Sequence, residues 1–512
     1  MSLKKLPLGI QTFGRIREEN YLYIDKTKEA YNLINSGNIF YFLSRPRRFG
    51  KSLFIDTLQD IFEARKELFK DLYIYDKWDW KEKYPVIKFD LKSITNTQEL
   101  LKDLKVLLKE NQAHLDIFCE ETDDYANCFR ELIQKTAKKY NTQVVVLVDE
   151  YDKPILDTID KLEVSKANRE ILKRFYNELK SNEQYIKFCF LTGVSKFSKA
   201  SIFSGLNMLT DISLNPKYGN ICGYTQEDIE TSFKDYLVDV DLEKFKNYYN
   251  GYNFLKDPVY NPFDTLQFII NDFKYSNYWF SSGTPTFLIK LIEKNNYFLP
   301  TLSNLTIGEE LLDSFNIENI DLEVILYQSG YLTIDSVKEK RRGGIEYKLK
   351  LPNIEVKNSF NDILIDYLTN QKTEKLKLQD DLYDAIVDEK LEDFKSSFET
   401  IFASIPYNNY TNNSIQNYEG YYASIVYVYL QSLGLEIIGE DVTSKGRIDL
   451  TIKINNIIYI IEFKIGSNDA LIQIKEKDYA QKYQREKKTI YLVGINFDKE
   501  ERNISRFEWE RL

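Results

Sequence analysis

The chain has 512 residues, 43% of them hydrophobic, and a formal net charge of −10. Apolar material for roughly two to four domains is present, while the acidic balance excludes a protein that coats nucleic acid over its whole surface, though not a local basic groove. One histidine, His114, and four cysteines without a CxxC pair, Cys119, Cys128, Cys189 and Cys222, exclude a Ser-His-Asp triad, a His-based metal site and a disulfide framework. Chemistry is therefore left to carboxylates, lysines, hydroxyls and metal ions. No run of about 18 apolar residues and no cleavable export signal is visible, so a cytoplasmic protein without membrane contact is expected.

From Asn38 to about Ser213, short apolar runs alternate with segments of helical period, which predicts a largely parallel α/β core. The predicted strands are 39–43, 86–91, 144–148 and 186–191, near-continuous apolar runs that suit strands buried on both faces. The first leads into Ser44-Arg45-Pro46-Arg47-Arg48-Phe49-Gly50-Lys51-Ser52 and a predicted helix over 53–62. That order is the layout of a phosphate-binding loop. Backbone N–H groups surround the phosphates, Lys51 reaches the β/γ oxygens, and the Ser52 hydroxyl binds Mg²⁺. Position 45, where the general GxxxxGK[ST] pattern has glycine, is Arg45.

About one hundred residues on, the strand Val144-Val145-Val146-Leu147-Val148 ends in Asp149-Glu150. Asp149 would hold Mg²⁺ through water and Glu150 would polarise the attacking water. The competing reading, an acidic strand end facing solvent, is disfavoured by the company of the Gly50-Lys51-Ser52 helix start. The expected nucleotide-binding set is Arg47, Arg48, Phe49, Gly50, Lys51, Ser52 and Asp149, with ATP and Mg²⁺ or Mn²⁺ as cofactors. Arg47 and Arg48 suit either phosphate neutralisation or nucleic-acid contact. Thr192, Ser195 and Lys196, at the carboxyl end of the 186–191 strand, suit either a γ-phosphate sensor or ordinary loop chemistry.

The stretch from Thr225 to Leu291 reads as helical and aromatic-rich, broken at Asn250-Gly251, Asn261-Pro262 and Gly283-Thr284-Pro285. A predicted helix over 322–328, a strand over 331–337, the charged turn Lys338–Gly344 and a strand over 345–351 resemble a winged helix, with a generic connector as the alternative. Helices of mixed charge from about 356 to 402 read as a spacer, and a second α/β unit fills 418–497.

Within that unit, two β-rich runs, 448–454 and 457–464, are separated by Asn455-Asn456. Asparagine tolerates positive φ, so a tight hairpin is predicted. If Ile454 pairs with Ile457, Asp449 lies opposite Glu462 and Arg447 opposite Lys464, and the period of two sends all four to one face. Two acids and a lysine in an apolar hairpin are costly unless they bind something. Metal-assisted phosphodiester cleavage supplies a reason: Asp449 and Glu462 hold the cation while Lys464 orients water or offsets phosphorane charge. The alternative is an exposed polar face of cross-strand ion pairs. Glu419, at the start of a predicted helix over 418–433, is a third candidate metal ligand. Gln473 and Tyr479 are candidate nucleotide contacts.

These motifs, together with Tyr23-Ile24-Asp25-Lys26-Thr27, Val148-Asp149-Glu150-Tyr151-Asp152-Lys153-Pro154, Tyr249-Asn250-Gly251-Tyr252, Ser282-Gly283-Thr284-Pro285-Thr286 and Ser329-Gly330-Tyr331-Leu332-Thr333, cover nearly the whole chain in order. The chain resembles the AAA-ATPase-like proteins with a C-terminal PD-(D/E)xK nuclease domain, whose loop pattern itself reads RPRRFGKS. The resemblance implies a P-loop ATPase core over 1–213, a helical lid and winged-helix-like region over 214–355, a helical spacer over 356–402, and a restriction-endonuclease-like domain over 403–512. It also implies mobile-element or defence biology. The expected activity is ATP binding and hydrolysis coupled to metal-dependent cleavage of nucleic acid, DNA being favoured over RNA, with homo-oligomerisation open. The alternative is an ATP-switched scaffold whose nuclease-like domain grips nucleic acid or protein without cutting.

Overall fold

The computed structural model describes residues 3–197, 208–279, 299–312, 317–318, 320–369, 374–405, 419–466 and 469–512. They form two compact units, the first built chiefly from residues 1–283 and 307–347, the second from 284–306 and 355–512. Among the described residues no helix is long and apolar enough to cross a membrane. The Ser282–Thr286 motif and Tyr418 lie outside the described residues.

The first unit is built on a five-stranded sheet of β1 (Phe40–Ser44), β2 (Val86–Asp90), β3 (Val144–Asp149), β4 (Ile186–Gly193) and β5 (Thr210–Asp211), in the order β2-β3-β4-β1-β5. Each neighbouring pair is parallel, as the alternating pattern predicts. The reason is visible in β3, where Val144, Val145, Val146 and Leu147 are fully buried. Such a strand needs cover on both faces, and burying each aliphatic side chain contributes about 1.5–3 kcal/mol. The helix Lys51–Phe62 supplies part of that cover, its Phe54, Ile55, Leu58 and Ile61 buried and the Phe54 ring 5.7 Å from Phe190. His114 is half exposed, with Nε2 3.6 Å from Glu63 Oε1.

After β5 the chain turns helical. Gln226–Thr231 starts from a capping box between Thr225 and Asp228, and Pro262–Ile270 from an Asn261 cap with proline in its first turn. Phe233, Phe245, Tyr249, Tyr260 and Phe268 close an aromatic core that also takes Ile24. The helix Leu322–Ser329 precedes β7 (Thr333–Glu339) and β8 (Ile345–Lys350), which join β6 (Thr306–Gly308) in the order β6-β8-β7. The helix and the two strands follow in the order read from the sequence, with the first strand two residues later.

The second unit holds β9 (Glu436–Val442), β10 (Arg447–Ile454), β11 (Ile457–Ile465), β12 (Thr489–Asp498) and β13 (Asn503–Arg511), in the order β13-β12-β11-β10-β9. Of these neighbours, β11 and β12 run parallel and the other pairs antiparallel. One face is covered by Leu471 and Ile474 of the helix Ala470–Glu476, packed with Ile458, Ile460, Ile490 and Leu492. Phe497 stacks on Tyr422 of the helix Glu419–Ser432 at 4.6 Å. The helices Lys375–Val387 and Leu391–Ala403, read as spacer from their mixed charge, lie within this unit. Phe402 meets Phe497 at 5.2 Å, and Tyr459 Oη donates to Ile386 O at 2.8 Å. Their buried stripe of Leu382, Ile386, Phe394 and Phe398 serves the second core.

Candidate functional site

The loop after β1 enters the helix Lys51–Phe62 through Gly50, whose φ of +94° only glycine adopts without strain. Arg48 also has positive φ, 69°, in a turn where a side chain other than glycine stores strain. Lys51 is buried, and its Nζ donates to the carbonyls of Arg45 at 3.1 Å and Pro46 at 3.2 Å. Ser52 is half-buried beside it.

Arg45 turns away from the loop. It is 1% exposed, its Nη1 donates to Ser213 O at 2.7 Å and its Nη2 to Tyr218 O at 3.2 Å. Its guanidinium lies 3.9 Å from the centre of the Phe254 ring. Where the general pattern has a glycine for close backbone approach, this chain has a staple between the loop and the segment after β5. Arg48 stacks on Phe263 at 3.7 Å, and Arg47 is half exposed with Nη2 4.0 Å from Asp157 Oδ1. The Phe49 ring is buried against Tyr252 at 4.8 Å, so its backbone is what it offers a phosphate.

At the end of β3, Asp149 is buried and its Oδ1 accepts from Thr192 Oγ1 at 2.6 Å and from Glu150 N at 3.0 Å. Glu150 is half-buried with φ of 53°. β4 lies between β1 and β3, so its end brings Thr192 between the two motifs. Ser195 donates from both N and Oγ to Asp152 Oδ2 at 2.6 Å, and Lys196 pairs with Asp211. Burial, reinforced by Glu150, pushes the Asp152 carboxyl up to about 6. Sequence reasoning missed Asp152, whose position before Lys153-Pro154 reads as a helix start and whose carboxylate instead clasps the end of β4. It also missed Asp90, paired with Asp149 in the β2–β3 ladder and raised by burial and then by Asp149 and Glu150. An acid ending a second apolar strand is the signal that could have found it.

In the second unit the predicted register holds from Ile454↔Ile457 to Leu450↔Ile461, with Asn455 at φ 49° in the turn. Beyond Leu450 the main-chain ladder stops, and Asp449 Oδ2 accepts from Phe463 N at 2.8 Å. The carboxylate takes the place of a strand carbonyl, so Asp449 and Glu462 stay together while the strands part. Arg447 departs from the expectation: it pairs with Val442 of β9, and its side chain is exposed and bonded to Glu440.

Glu462 is 1% exposed, which rules out a solvated polar face. Its Oε1 accepts from Gln473 Nε2 and from Lys464 Nζ, the latter at 3.4 Å, while Oε2 is buried with no hydrogen-bond partner. Lys464 Nζ donates to Phe463 O at 2.7 Å and lies 3.6 Å from Glu419 Oε1. The helix carrying Gln473 comes this close because residue 494, beside Glu462 on β12, is glycine. A Cβ there would stand 2.4 Å from Leu471 N. Tyr479 is buried and donates to Arg447 O at 2.9 Å, fixing the end of β10.

Burial raises the Glu462 carboxyl above the ordinary range, with Asp449 adding to it, and burial likewise raises Asp449. Lys464 is raised because Asp449, Glu462 and Glu419 together outweigh its burial. Buried Glu462, with one oxygen unsatisfied, beside half-buried Asp449 fits a hard divalent cation, which takes oxygen ligands. Among the described residues no three acidic, histidine or cysteine side chains already converge as a complete cation cage. The residues that could contribute to such a site are the Asp449–Glu462 pair, with Glu419 held across Lys464.

Comparison with known proteins agrees with both halves. Residues 7–203 match the family model described as predicted AAA-ATPase, and residues 417–507 the model described as PD-(D/E)XK nuclease superfamily. The chain belongs to the AAA-ATPase-like family and carries a C-terminal domain of the PD-(D/E)XK nuclease superfamily. Along its full length it is similar to a protein of Azotobacter chroococcum mcd 1 described as "Uncharacterized protein in vnfD 5'region". The two are 41% identical over 521 residues, covering 100% of each.

Proposed function

We propose that the chain binds and hydrolyses ATP at the loop after β1 and cleaves phosphodiester bonds in nucleic acid at the β10–β11 hairpin. The observation that carries the second activity is Glu462, buried beside Asp449 with Oε2 unpartnered and Lys464 at hand. A carboxylate oxygen without a partner in the interior costs about 1–3 kcal/mol or more, a burden that a bound cation relieves. Asp449 and Glu462, joined by Glu419, would hold Mg²⁺ or Mn²⁺. When bound, the cation lowers the pKa of water and stabilises charge on the phosphoryl oxygens. Gln473 orients Glu462, and Lys464 keeps its proton and sets a positive charge beside the reacting phosphate.

At the other site, Lys51 exchanges the Arg45 and Pro46 carbonyls for phosphate oxygens, with backbone N–H groups of Arg47 through Ser52 around them. Ser52 and Asp149 would hold Mg²⁺, and Glu150 would orient water. Thr192, already bonded to Asp149, links that acid to β4.

The test is a cleavage assay on single- and double-stranded DNA and RNA, with Mg²⁺ or Mn²⁺ and with or without ATP. Wild type is compared with Lys51→Ala and Lys464→Ala. Cleavage strongly reduced in Lys464→Ala and altered in Lys51→Ala is the expected result. Retention of nucleic acid without cutting under either metal would reduce the second unit to a gripping module.

A further inference from the structure

A cluster of basic side chains stands at one exposed point of the first unit. From the end of β7 to the start of β8 the chain reads Lys338-Glu339-Lys340-Arg341-Arg342-Gly343-Gly344. Every residue from 336 to 344 is exposed. The turn is closed by its own backbone, Gly343 N donating to Lys340 O at 2.9 Å and Lys340 N to Gly344 O at 3.0 Å. Its base is fixed by Leu332, Ile334 and Tyr347, all buried. Lys340 pairs with Glu346 at 3.1 Å, and no ion pair among the described residues engages Lys338, Arg341 or Arg342.

A solvated turn needs polarity, which serine or asparagine gives without gathering like charges. A lysine on the outer strand β7 would discourage edge-to-edge pairing; that explains Lys338 and leaves the two arginines at the tip unexplained. Adjacent exposed guanidinium groups on a fixed hairpin are a fork for phosphate oxygens, which they bind bidentately.

We propose that the β7–β8 tip docks on the phosphate backbone of nucleic acid, as a contact on the P-loop unit separate from the Asp449–Glu462 site. Charge complementarity selects a polyanion; the choice of nucleic acid among polyanions rests on the nuclease reading above. Backbone contact of this kind positions the chain without reading sequence.

The experiment is a salt titration of full-length protein binding to labelled duplex DNA, in EDTA so that nothing is cut. Wild type is compared with K338A/K340A/R341A/R342A, with R341A/R342A, and with K464A. Each phosphate that is no longer neutralised lowers the slope of log K against log salt by about 0.9. The fourfold variant should lower the slope by about 3.6 and the affinity at fixed salt by on the order of 10-fold or more, and the double variant should show about half of that slope change. K464A should keep the tip's share. An unchanged slope and affinity in both tip variants overturns the proposal, as does tip-dependent capture of phosphatidylserine vesicles or polyglutamate with equal strength. The nuclease reading fails separately: a tip-dependent slope with no cleavage under Mg²⁺ or Mn²⁺ sinks that reading and leaves this one standing.

Discussion

The two candidate sites differ in how they exist without a ligand. Around the loop after β1, although Arg45 Nε and Arg48 Nη1 are buried without a hydrogen-bond partner, most functional groups satisfy one another: Lys51 bonds to two loop carbonyls, Asp149 to Thr192, and Ser195 to Asp152. At the hairpin they do not, since Glu462 keeps an unpartnered buried oxygen and both acids are pushed toward protonation. A site that closes on itself exchanges partners when its ligand arrives, whereas one left short gains stability from it. Nucleotide should rearrange the first site, and metal should stabilise the second.

The largest expected effect lies on the hairpin. Lys464→Ala should lower cleavage by about 10²–10³-fold, the usual cost of removing one preorganised charge stabiliser, measured as single-turnover rate. Equal loss in Lys51→Ala would erase the distinction between a catalytic centre and its regulator. Next is Arg45→Gly, which restores the general loop pattern on paper. Because it strands the carbonyls of Ser213 and Tyr218 and empties the face of Phe254, it should cost about 2–4 kcal/mol in denaturant unfolding. A neutral outcome would mean that the staple is dispensable.

A pH series sharpens the contrast. Asp449 and Glu462 have folded-state values above the ordinary carboxylate range, so between the two ranges the native state binds more protons than the unfolded state. Stability without metal should fall as pH rises through that window. Glu462→Gln should flatten the fall and raise metal-free stability at neutral pH by about 1–2 kcal/mol, read by thermal melts in EDTA. A steeper fall in the variant would contradict the assignment. The smallest effect is Thr192→Val, which removes one hydrogen bond to Asp149 and should cost about 1 kcal/mol, with ATP turnover falling while nucleotide affinity holds.

Much of this was legible in the chain because local rules sufficed. Near-continuous apolar runs located β1 to β4, and the period of two with a two-residue asparagine turn located the register from Ile454↔Ile457 to Leu450↔Ile461. What stayed hidden depends on partners far along the chain. Arg45 looked like a phosphate-loop residue because nothing local says that its acceptors lie about Ser213 and Tyr218. Phe49 stood in the same loop, yet its ring belongs to a core completed by Tyr252. The ladder's break after Leu450 was unreadable because it arises from a side chain taking a backbone bond. The helices from 375 to 403 showed mixed charge outward while their buried stripe waited for a sheet formed later in the chain.

The most direct test of the central claim, that the hairpin is a cation site left incomplete by the fold, is a calorimetric titration of Mn²⁺ into the full chain without nucleotide. Binding is expected in wild type and in Lys51→Ala, and its loss in Asp449→Ala and Glu462→Gln. Unchanged binding in both hairpin variants would contradict the claim.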